Sequence, residues 1–156
     1  MKIIDIPNYN KLEIKNIILD YNGTLASGGK VLDDTKELLE KLCKEYKVYV
    51  ITADTFGTVK EELKSFDLEV VVLTSSNHTK EKADFVSSLG AKNSVAIGNG
   101  NNDEKMLKTA QLSIAIVASE GCATKTLLAS DITCTDIKDA LNLLINTKSL
   151  IATLRR

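Results

Sequence analysis

From residue 15 onward, short apolar runs alternate with segments in which apolar residues recur at the spacing of a helix. The runs are continuous, rich in Val and Ile, and lie at residues 17–19, 48–51, 70–73, 95–97 and 114–117. Continuous apolar strands are typical of a parallel sheet that is covered on both faces. The pattern therefore predicts an α/β fold, with a doubly wound parallel sheet and right-handed crossovers.

Helical patterns fill the intervals between these runs. Apolar residues recur at helical spacing within 38–46, 59–66, 83–89, 106–110 and 137–144, and residues 148–154 could add a short helix. Asp34 and Glu37 resemble a capping box ahead of the first helix. Gly90 is expected to end the third helix.

The first 14 residues follow a different pattern. Two short apolar stretches flank the turn-rich segment Pro7-Asn8-Tyr9-Asn10, which predicts an antiparallel hairpin. Such a hairpin could extend the sheet or cover a partner subunit. The chain is thus interpreted as an N-terminal hairpin extension, residues 1–14, and a core, residues 15–156, whose length suits one hydrophobic core.

Charge and composition narrow the function classes. The net charge of -1 gives no electrostatic reason to expect a nucleic acid or an anionic membrane as partner. No apolar run approaches the roughly 20 residues of a membrane span, and the N-terminus lacks a signal-peptide pattern, so a cytoplasmic location is expected. Cys43, Cys122 and Cys134 are expected to be reduced thiols. With His78 as the only histidine, a His-based triad or zinc site is disfavoured.

Polar residues of complementary chemistry follow the predicted strands. Asp20 and Thr52 end two of them, Asn99 and Asp103 follow a third, and Lys80 and Lys82 open the helix before that third strand. The carboxyl ends of parallel strands meet at one edge of a sheet, where ligands bind. A carboxylate can attack phosphorus while a hydroxyl and an ammonium hold the phosphoryl oxygens, and carboxylates bind Mg²⁺. These residues predict phosphoryl chemistry at that edge.

Four motifs in order give the chain a family resemblance. They are Asp20-x-x-Gly23-Thr24, Ile51-Thr52-Ala53-Asp54, Lys82-x-x-Phe85-Val86-x-x-Leu89 and Gly98-Asn99-Gly100-x-Asn102-Asp103. Over roughly residues 15–142 the chain resembles the haloacid dehalogenase-like hydrolase superfamily, and more closely the phosphorylation domain of P-type ATPases without its membrane part. The resemblance implies a Mg²⁺-dependent phosphohydrolase that forms an aspartyl-phosphate on Asp20.

The resemblance also implies roles for the remaining motif residues. Thr52 and a lysine would hold the phosphoryl oxygens, and the helix register favours Lys82 while Lys80 stays an alternative. The implied Mg²⁺ ligands are Asp20, the backbone carbonyl of Asn22, Asn99 and Asp103. Further contacts to the phosphoryl group or substrate would come from Gly23, Thr24, Ala53 and Asn102.

Two residues depart from the family pattern. Asn22 stands where many family phosphatases carry an Asp that acts as general acid and base, and an amide cannot transfer a proton near neutral pH. General acid–base help contributes about 10²–10⁴-fold, so turnover should be slowed by something of that order, least for aryl or acyl phosphates. Asn99 replaces the first Asp of the fourth motif, which should weaken Mg²⁺ binding. Because the surrounding Gly and Asn residues are kept, a modified active site is favoured over an inactive one.

The spacing of the motifs leaves no room for a cap domain. Asp20 and Thr52 are separated by 31 residues, and Thr52 and Lys82 by 29. The site should therefore be open to a small or macromolecular phosphorylated substrate, or be covered by a second copy of the chain. The nucleotide-binding domain of P-type ATPases is absent as well, so ion pumping and specific ATP binding are not expected. The alternative function is a non-hydrolytic phosphoryl-binding or regulatory interaction module.

Other candidates have simpler interpretations. Residues 27–29 could form a flexible flap or a simple turn, and Asp54 could contact substrate or cap a helix. Asn77 and His78 are better explained by capping than by substrate contact. Glu120 could reach the rim of the site, although an ordinary glycine-containing loop is the simpler interpretation.

Overall fold

Eight strands and seven α-helices make up the described part of the chain. A computed structural model describes residues 1–54 and 57–156. The strands are β1 (Lys2–Ile6), β2 (Asn10–Ile14), β3 (Asn16–Asp20), β4 (Lys47–Thr52), β5 (Glu69–Val72), β6 (Ser94–Gly98), β7 (Leu112–Ile116) and β8 (Ile132–Cys134). The helices are α1 (Asp33–Glu45), α2 (Thr58–Leu63), α3 (His78–Leu89), α4 (Glu104–Thr109), α5 (Thr124–Ala129), α6 (Ile137–Ile145) and α7 (Thr147–Leu154).

The main sheet is parallel throughout and has the strand order β5-β4-β3-β6-β7-β8. The chain builds outward from β3 to β5, returns to the other side of β3 with β6, and continues to β8. The topological switch point thus lies between β3 and β6, where the carboxyl ends of neighbouring strands diverge into a crevice. This confirms the predicted doubly wound α/β fold.

Burial of both faces explains the continuous apolar runs. Ile17 and Leu19 of β3 pack into the core on one face, whereas Ile18 packs into the core on the opposite face. The first core includes the hairpin and the apolar side chains of α1 and α6, and the second includes those of α3 and α4. Alternate residues of a strand point to opposite faces, so a strand covered on both sides is apolar at every position.

The predicted hairpin is confirmed, and it forms its own two-stranded sheet instead of extending the main one. β1 and β2 pair antiparallel, with Ile4 opposite Leu12. Ile4, Leu12 and Ile14 are no more than 2% exposed, because they enter the same core as β3 and α1.

Several contacts join residues that are far apart in the sequence. The hydroxyl of Tyr46 donates to the carbonyl of Leu144 at 2.7 Å. Nζ of Lys2 donates to the carbonyls of Leu144 and Ile145 at 3.2 and 2.9 Å. The backbone N–H of Arg156 donates to the carbonyl of Pro7 at 3.2 Å. These bonds tie the hairpin and α1 to the end of α6 and to the last residue.

Two local predictions were wrong or incomplete. Asp34 and Glu37 do not form a capping box, since α1 begins at Asp33 and its N-cap residue, Leu32, makes no side-chain capping bond. Strand β8 and helix α5 were not predicted, because each is short and only two of the three residues of β8 are apolar. The end of α3 at Gly90 and the tail helix were predicted correctly, with Gly90 at a φ of 96°.

No helix in residues 1–54 and 57–156 combines the length and the hydrophobicity that crossing a membrane requires.

Candidate active site

The carboxyl ends of β3, β4 and β6 bring most of the predicted site residues to one cavity. The cavity has a volume of about 340 Å³. It is lined by Asp20, Asn22, Thr52, Ala53, Leu73, Lys82, Asn99, Gly100, Asn102 and Glu120. A larger cleft of about 490 Å³ lies between β8 and the last two helices, away from the motif residues.

A buried lysine holds two carboxylates together at the floor of this cavity. Nζ of Lys82 lies 2.7 Å from Oδ1 of Asp20 and 2.7 Å from Oδ1 of Asp103. The side chain of Lys82 is 2% exposed, that of Asp103 is fully buried and that of Asp20 is 13% exposed. Of the two carboxylates, Asp20 is therefore the one that solvent can reach.

The structure also distinguishes the two candidate lysines by position. Lys82 is on the buried face of α3 and reaches the cavity, whereas Lys80 is exposed and pairs with Asp84 four residues later. The N-cap of α3 is Asn77, whose side chain accepts a 3.1 Å hydrogen bond from the N–H of Lys80. Asn77 thus caps the helix, as expected.

Burial and neighbouring charge set the protonation of the cluster. Burial, with the negative charge of Asp103 adding to it, raises the pKa of Asp20 to about 6, although Lys82 acts in the opposite direction. Burial alone would lower the pKa of Lys82, but Asp103 and Asp20 together raise it. A charged lysine is therefore favoured, and Asp20 is an acid whose protonation changes near neutral pH.

Both carboxylate oxygens of Asp103 accept hydrogen bonds from the protein. Its Oδ1 accepts from Lys82, and its Oδ2 accepts from the backbone N–H groups of Asn99 and Gly100 at 3.0 and 2.9 Å. A Cβ on Gly98 would lie 2.5 Å from Cγ of Asp103, so only glycine fits at the end of β6. Asp103 lies behind the cavity wall, where it fixes Lys82 and the loop after β6.

Thr24 connects the first motif to the fourth. Its hydroxyl lies 3.2 Å from Oδ2 of Asp20 and 3.1 Å from Oδ1 of Asn99. The turn that carries Thr24 depends on Gly23, whose φ of 77° is in the left-handed region. Gly23 and Thr24 thus lie beside the cavity, and Thr24 orients both the carboxylate and the amide.

Thr52 and Asp54 are positioned by the turn after β4. The hydroxyl of Thr52, which is buried at the cavity wall, accepts from the N–H of Asp54 at 3.1 Å. Oδ2 of Asp54 accepts from the N–H of Val59 at 2.9 Å and from the hydroxyl of Thr58. Asp54 thus bonds to the first turn of α2, although the N-cap position that was one of its two predicted roles is taken by Gly57.

The segment after the first motif is a tight turn. Ser27 and Lys30 form an antiparallel bridge, and Gly28 and Gly29 between them both have positive φ, at 59° and 80°. Two successive residues of positive φ are the signature of a two-residue hairpin turn. The structure therefore corresponds to the simple-turn interpretation of residues 27–29.

Glu120 lies at the cavity, which corresponds to the first of its two predicted interpretations, a place at the rim of the site. It lies in the turn after β7 and lines the cavity together with Asp20, Asn22 and Asn99. No motif marks it, and only its place after a strand of the parallel sheet could have drawn attention to it.

A divalent cation fits this donor set in part. No three His, Cys, Asp or Glu side chains of residues 1–54 and 57–156 converge in a geometry that would hold a metal ion. Mg²⁺, however, keeps several waters and takes only one or two carboxylates from the protein. Asp20, Asn22, Asn99 and Glu120 bring oxygen atoms of that chemical kind to the cavity wall.

Sequence comparison finds two related proteins, both from Methanocaldococcus jannaschii. "Uncharacterized protein MJ0073" is 55% identical over 64 residues, which are 41% of this chain and 69% of that protein. "Uncharacterized protein MJ0072" is 44% identical over 39 residues, which are 25% of this chain and 89% of that protein. No family model matches the chain.

Solved structures with the same fold are hydrolases of the haloacid dehalogenase-like type. The 3-deoxy-D-manno-octulosonate 8-phosphate phosphatase of Moraxella catarrhalis, solved with magnesium and phosphate ions, has a TM-score of 0.71 at 17% identity and covers 92% of this chain and 94% of its own. The cobalt-bound phosphatase of Haemophilus influenzae has a TM-score of 0.68 at 14% identity, with coverages of 88% and 92%. The haloacid dehalogenase-like protein SP0104 of Streptococcus pneumoniae has a TM-score of 0.64 at 13% identity, with coverages of 85% and 99%. At these identities the likeness concerns the fold.

Proposed function

We propose that this chain is a divalent-cation-dependent phosphohydrolase. The chain belongs to the same family as the two M. jannaschii proteins and has the haloacid dehalogenase-like fold. Its nucleophile is Asp20. One observation carries the proposal: a buried lysine joins Asp20 and Asp103 at 2.7 Å each, at the switch point of a doubly wound sheet. The magnesium and cobalt ions of two solved neighbours support the choice of a divalent cation.

The reaction begins when Asp20 attacks phosphorus. Lys82 holds Oδ1, so Oδ2, which accepts the longer bond from Thr24, is the oxygen better placed to attack. The ester P–O bond breaks, an acyl phosphate forms on Asp20, and the leaving oxygen takes a proton from solvent. Water then hydrolyses the acyl phosphate, which returns Asp20 as a carboxylate and releases inorganic phosphate.

The surrounding residues bind and orient the phosphoryl group. The ammonium of Lys82, the hydroxyl of Thr52 and the backbone after it face the cavity where the phosphoryl oxygens would lie. Preorganised donors of this kind stabilise the charge of phosphoryl transfer. A bound divalent cation would neutralise phosphoryl charge, with ligands from Asp20, the carbonyl of Asn22 and Asn99. Asp103, which the resemblance assigned to the cation, is fully buried with both oxygens bonded to protein donors, so in this proposal it holds Lys82 instead.

The proposal has a direct test. Purified protein with Mg²⁺ should release phosphate from an aryl phosphate, and Asp20→Asn should abolish the release. Asp5→Asn makes the same chemical change at an exposed position of the hairpin and should leave the rate unchanged. Equal rates for the wild type and Asp20→Asn would refute the proposal.

The second candidate function is a phosphoryl-binding or regulatory module that does not turn over. It is favoured by Asn22, whose exposed side chain at the cavity brings an amide, and no carboxyl group, to the leaving group. It would also fit the predicted likeness to the P-type ATPase phosphorylation domain, in which the aspartyl-phosphate forms more readily than it is hydrolysed. A stoichiometric burst of product without further release, together with a stable beryllofluoride adduct, would support it over hydrolysis.

A further inference from the structure

Glu120 reaches the candidate site from a turn that the catalytic motifs do not include. The turn follows β7 and is closed by a 2.9 Å hydrogen bond from the N–H of Gly121 to the carbonyl of Ala118. Gly121 has a φ of 72°. Although Glu120 is exposed as a residue, it forms part of the cavity wall together with Asp20 and Asn99.

Gly23 provides the space that the carboxylate of Glu120 occupies. A Cβ on Gly23 would lie 2.0 Å from Oε2 of Glu120 and 2.6 Å from Nδ2 of Asn99, and both distances are too short for non-bonded atoms. The carboxylate therefore lies directly against the backbone of the first motif, one residue after the carbonyl of Asn22. This contact places an acidic oxygen beside the implied cation ligands.

Asn99 anchors the turn that carries Glu120. Its Nδ2 donates to the carbonyl of Gly121 at 3.2 Å, and its backbone carbonyl accepts from the N–H of Ala123 at 2.9 Å. An aspartate at position 99 has no N–H to donate to Gly121, and its charge would repel Glu120. The amide at 99 therefore bonds to the turn that carries Glu120 and adds no negative charge beside it, whereas an aspartate would lose the bond and add the charge.

The count of available negative charges gives Glu120 a role. Both oxygens of Asp103 are taken up by Lys82 and backbone N–H groups, and Oδ1 of Asp20 is bound to Lys82. Without Glu120, a cation in the cavity would face one carboxylate, and that one is already paired with a lysine. Affinity for hard divalent cations rises with the number of charged ligands.

We propose that Glu120 is a cation-binding carboxylate of this site and supplies the charge that is missing at Asn99. The inference rests on the proposed function, because it places the cation in the cavity where Asp20 would meet a phosphoryl group. It adds a ligand from the turn after β7, which lies outside the four motifs.

Direct titration with Mn²⁺, monitored by the electron paramagnetic resonance signal of the free ion, tests the inference without any substrate. Glu120→Gln should weaken Mn²⁺ binding by about tenfold or more, since even groups that act through a metal ligand change affinity by about 10–100-fold. Glu69→Gln is the matched control: Glu69 is exposed at the amino end of β5, opposite the site edge, and its variant should bind as the wild type does. Circular dichroism verifies that each variant is folded.

The double variant Asn99→Asp with Glu120→Gln moves the charge back to position 99. It should recover most of the Mn²⁺ affinity that Glu120→Gln loses, which identifies the charge itself as the cause. Mn²⁺ binding by Glu120→Gln within twofold of the wild type overturns the inference, whatever happens to turnover. A wild-type chain that binds no Mn²⁺ at millimolar concentration also overturns it. If the wild-type protein binds Mn²⁺, the binding depends on Glu120 and no phosphatase activity is found, the proposed function alone is refuted.

Discussion

Lys82 pairs with both carboxylates that the fold buries at the end of β3 and behind the loop after β6, so one positive charge serves two acidic groups. Its side chain is 2% exposed, and its ammonium bonds to both Asp20 and Asp103. Removing one partner of a buried ion pair leaves an uncompensated charge, which typically costs about 3–5 kcal/mol. The residue that is predicted to hold phosphate thus also stabilises the fold.

This double role predicts different effects for the two neighbouring lysines. Lys82→Met should lower the free energy of unfolding by about 3 kcal/mol or more. Lys80→Met removes only an exposed pair with Asp84 and should change it by less than about 0.5 kcal/mol. Urea denaturation of both variants measures the difference. Comparable losses would contradict the arrangement around Nζ of Lys82.

The raised pKa of Asp20 predicts how stability depends on pH in the cation-free protein. An aspartate whose pKa is raised in the folded state stabilises that state while the carboxyl group is protonated. The contribution is complete below pH 3.8, the ordinary pKa of Asp20, and is lost as the pH rises through its raised pKa of about 6. Asp20→Asn should therefore raise the melting temperature at pH 7.5 by several degrees, which corresponds to on the order of 1–3 kcal/mol. In thermal melts with EDTA, the gain should shrink as the pH is lowered toward 4.5. A gain that is constant over this range would show that Asp20 is not the cause.

Restoring an acid at Asn22 should raise the turnover rate by an amount that depends on the leaving group. In Asn22→Asp, a carboxyl group could protonate a poor leaving group, so turnover of an alkyl phosphate should rise by about 10²-fold. An aryl phosphate, whose leaving group needs little proton transfer, should gain much less. Steady-state rates with the two substrates give the comparison. If the two rates rise equally or neither rises, protonation of the leaving group is not the step that limits turnover.

At the scale of elements, the N-terminal hairpin contributes to the main core although it lies outside the main sheet. Leu12 of β2 is fully buried, whereas Ile3 of β1 is 56% exposed. Leu12→Ala should cost about 2–5 kcal/mol, the range for a buried leucine, and Ile3→Ala should cost far less. Chemical denaturation of the two variants tests this. A small loss for Leu12→Ala would mean that the hairpin is a dispensable extension of the core at residues 15–156.

Strand and helix positions were predictable wherever periodicity was strong. The five predicted strands of the sheet were found within two residues of their expected bounds, because each contains a continuous apolar run. The central strands β3, β6 and β7 are buried along nearly their whole length, whereas the edge strand β5 is only partly buried. Strand β8 escaped notice since only Ile132 and Cys134 of its three residues are buried, which gives too short a pattern. Helix starts were less predictable, as the uncapped start of α1 shows.

The site was predictable where a motif defined it and unpredictable where the tertiary structure did. The motifs named Asp20, Thr52, Lys82 and Asn99, all of which line one cavity. They did not show that Asp103 would be consumed by backbone N–H groups, because such bonds depend on how the loop after β6 turns. Glu120 belongs to no motif, and only the folded turn brings it near Gly23.

At the scale of the whole molecule, the site is open. The chain between Asp20 and Thr52 forms turns and α1, and the described residues between Thr52 and Lys82 form α2, β5 and the start of α3. None of the described residues in these two segments forms a separate domain above the cavity. An open site of this kind leaves both predicted substrate classes, small and macromolecular phosphate esters, and cover by a second copy of the chain as predictions.

The bonds that join Tyr46 and Lys2 to the end of α6 have a consequence for folding kinetics. They join residues about a hundred positions or more apart in the sequence, so closing these loops early would cost much conformational entropy. We therefore expect the bonds to form only after most of the chain is ordered. Tyr46→Phe, which removes one such bond worth about 1 kcal/mol, should accelerate unfolding and leave the folding rate nearly unchanged. Stopped-flow chevron plots would show the change in the unfolding limb alone. These late contacts would then govern how long the native state lasts, and the parallel sheet would govern how quickly it is reached.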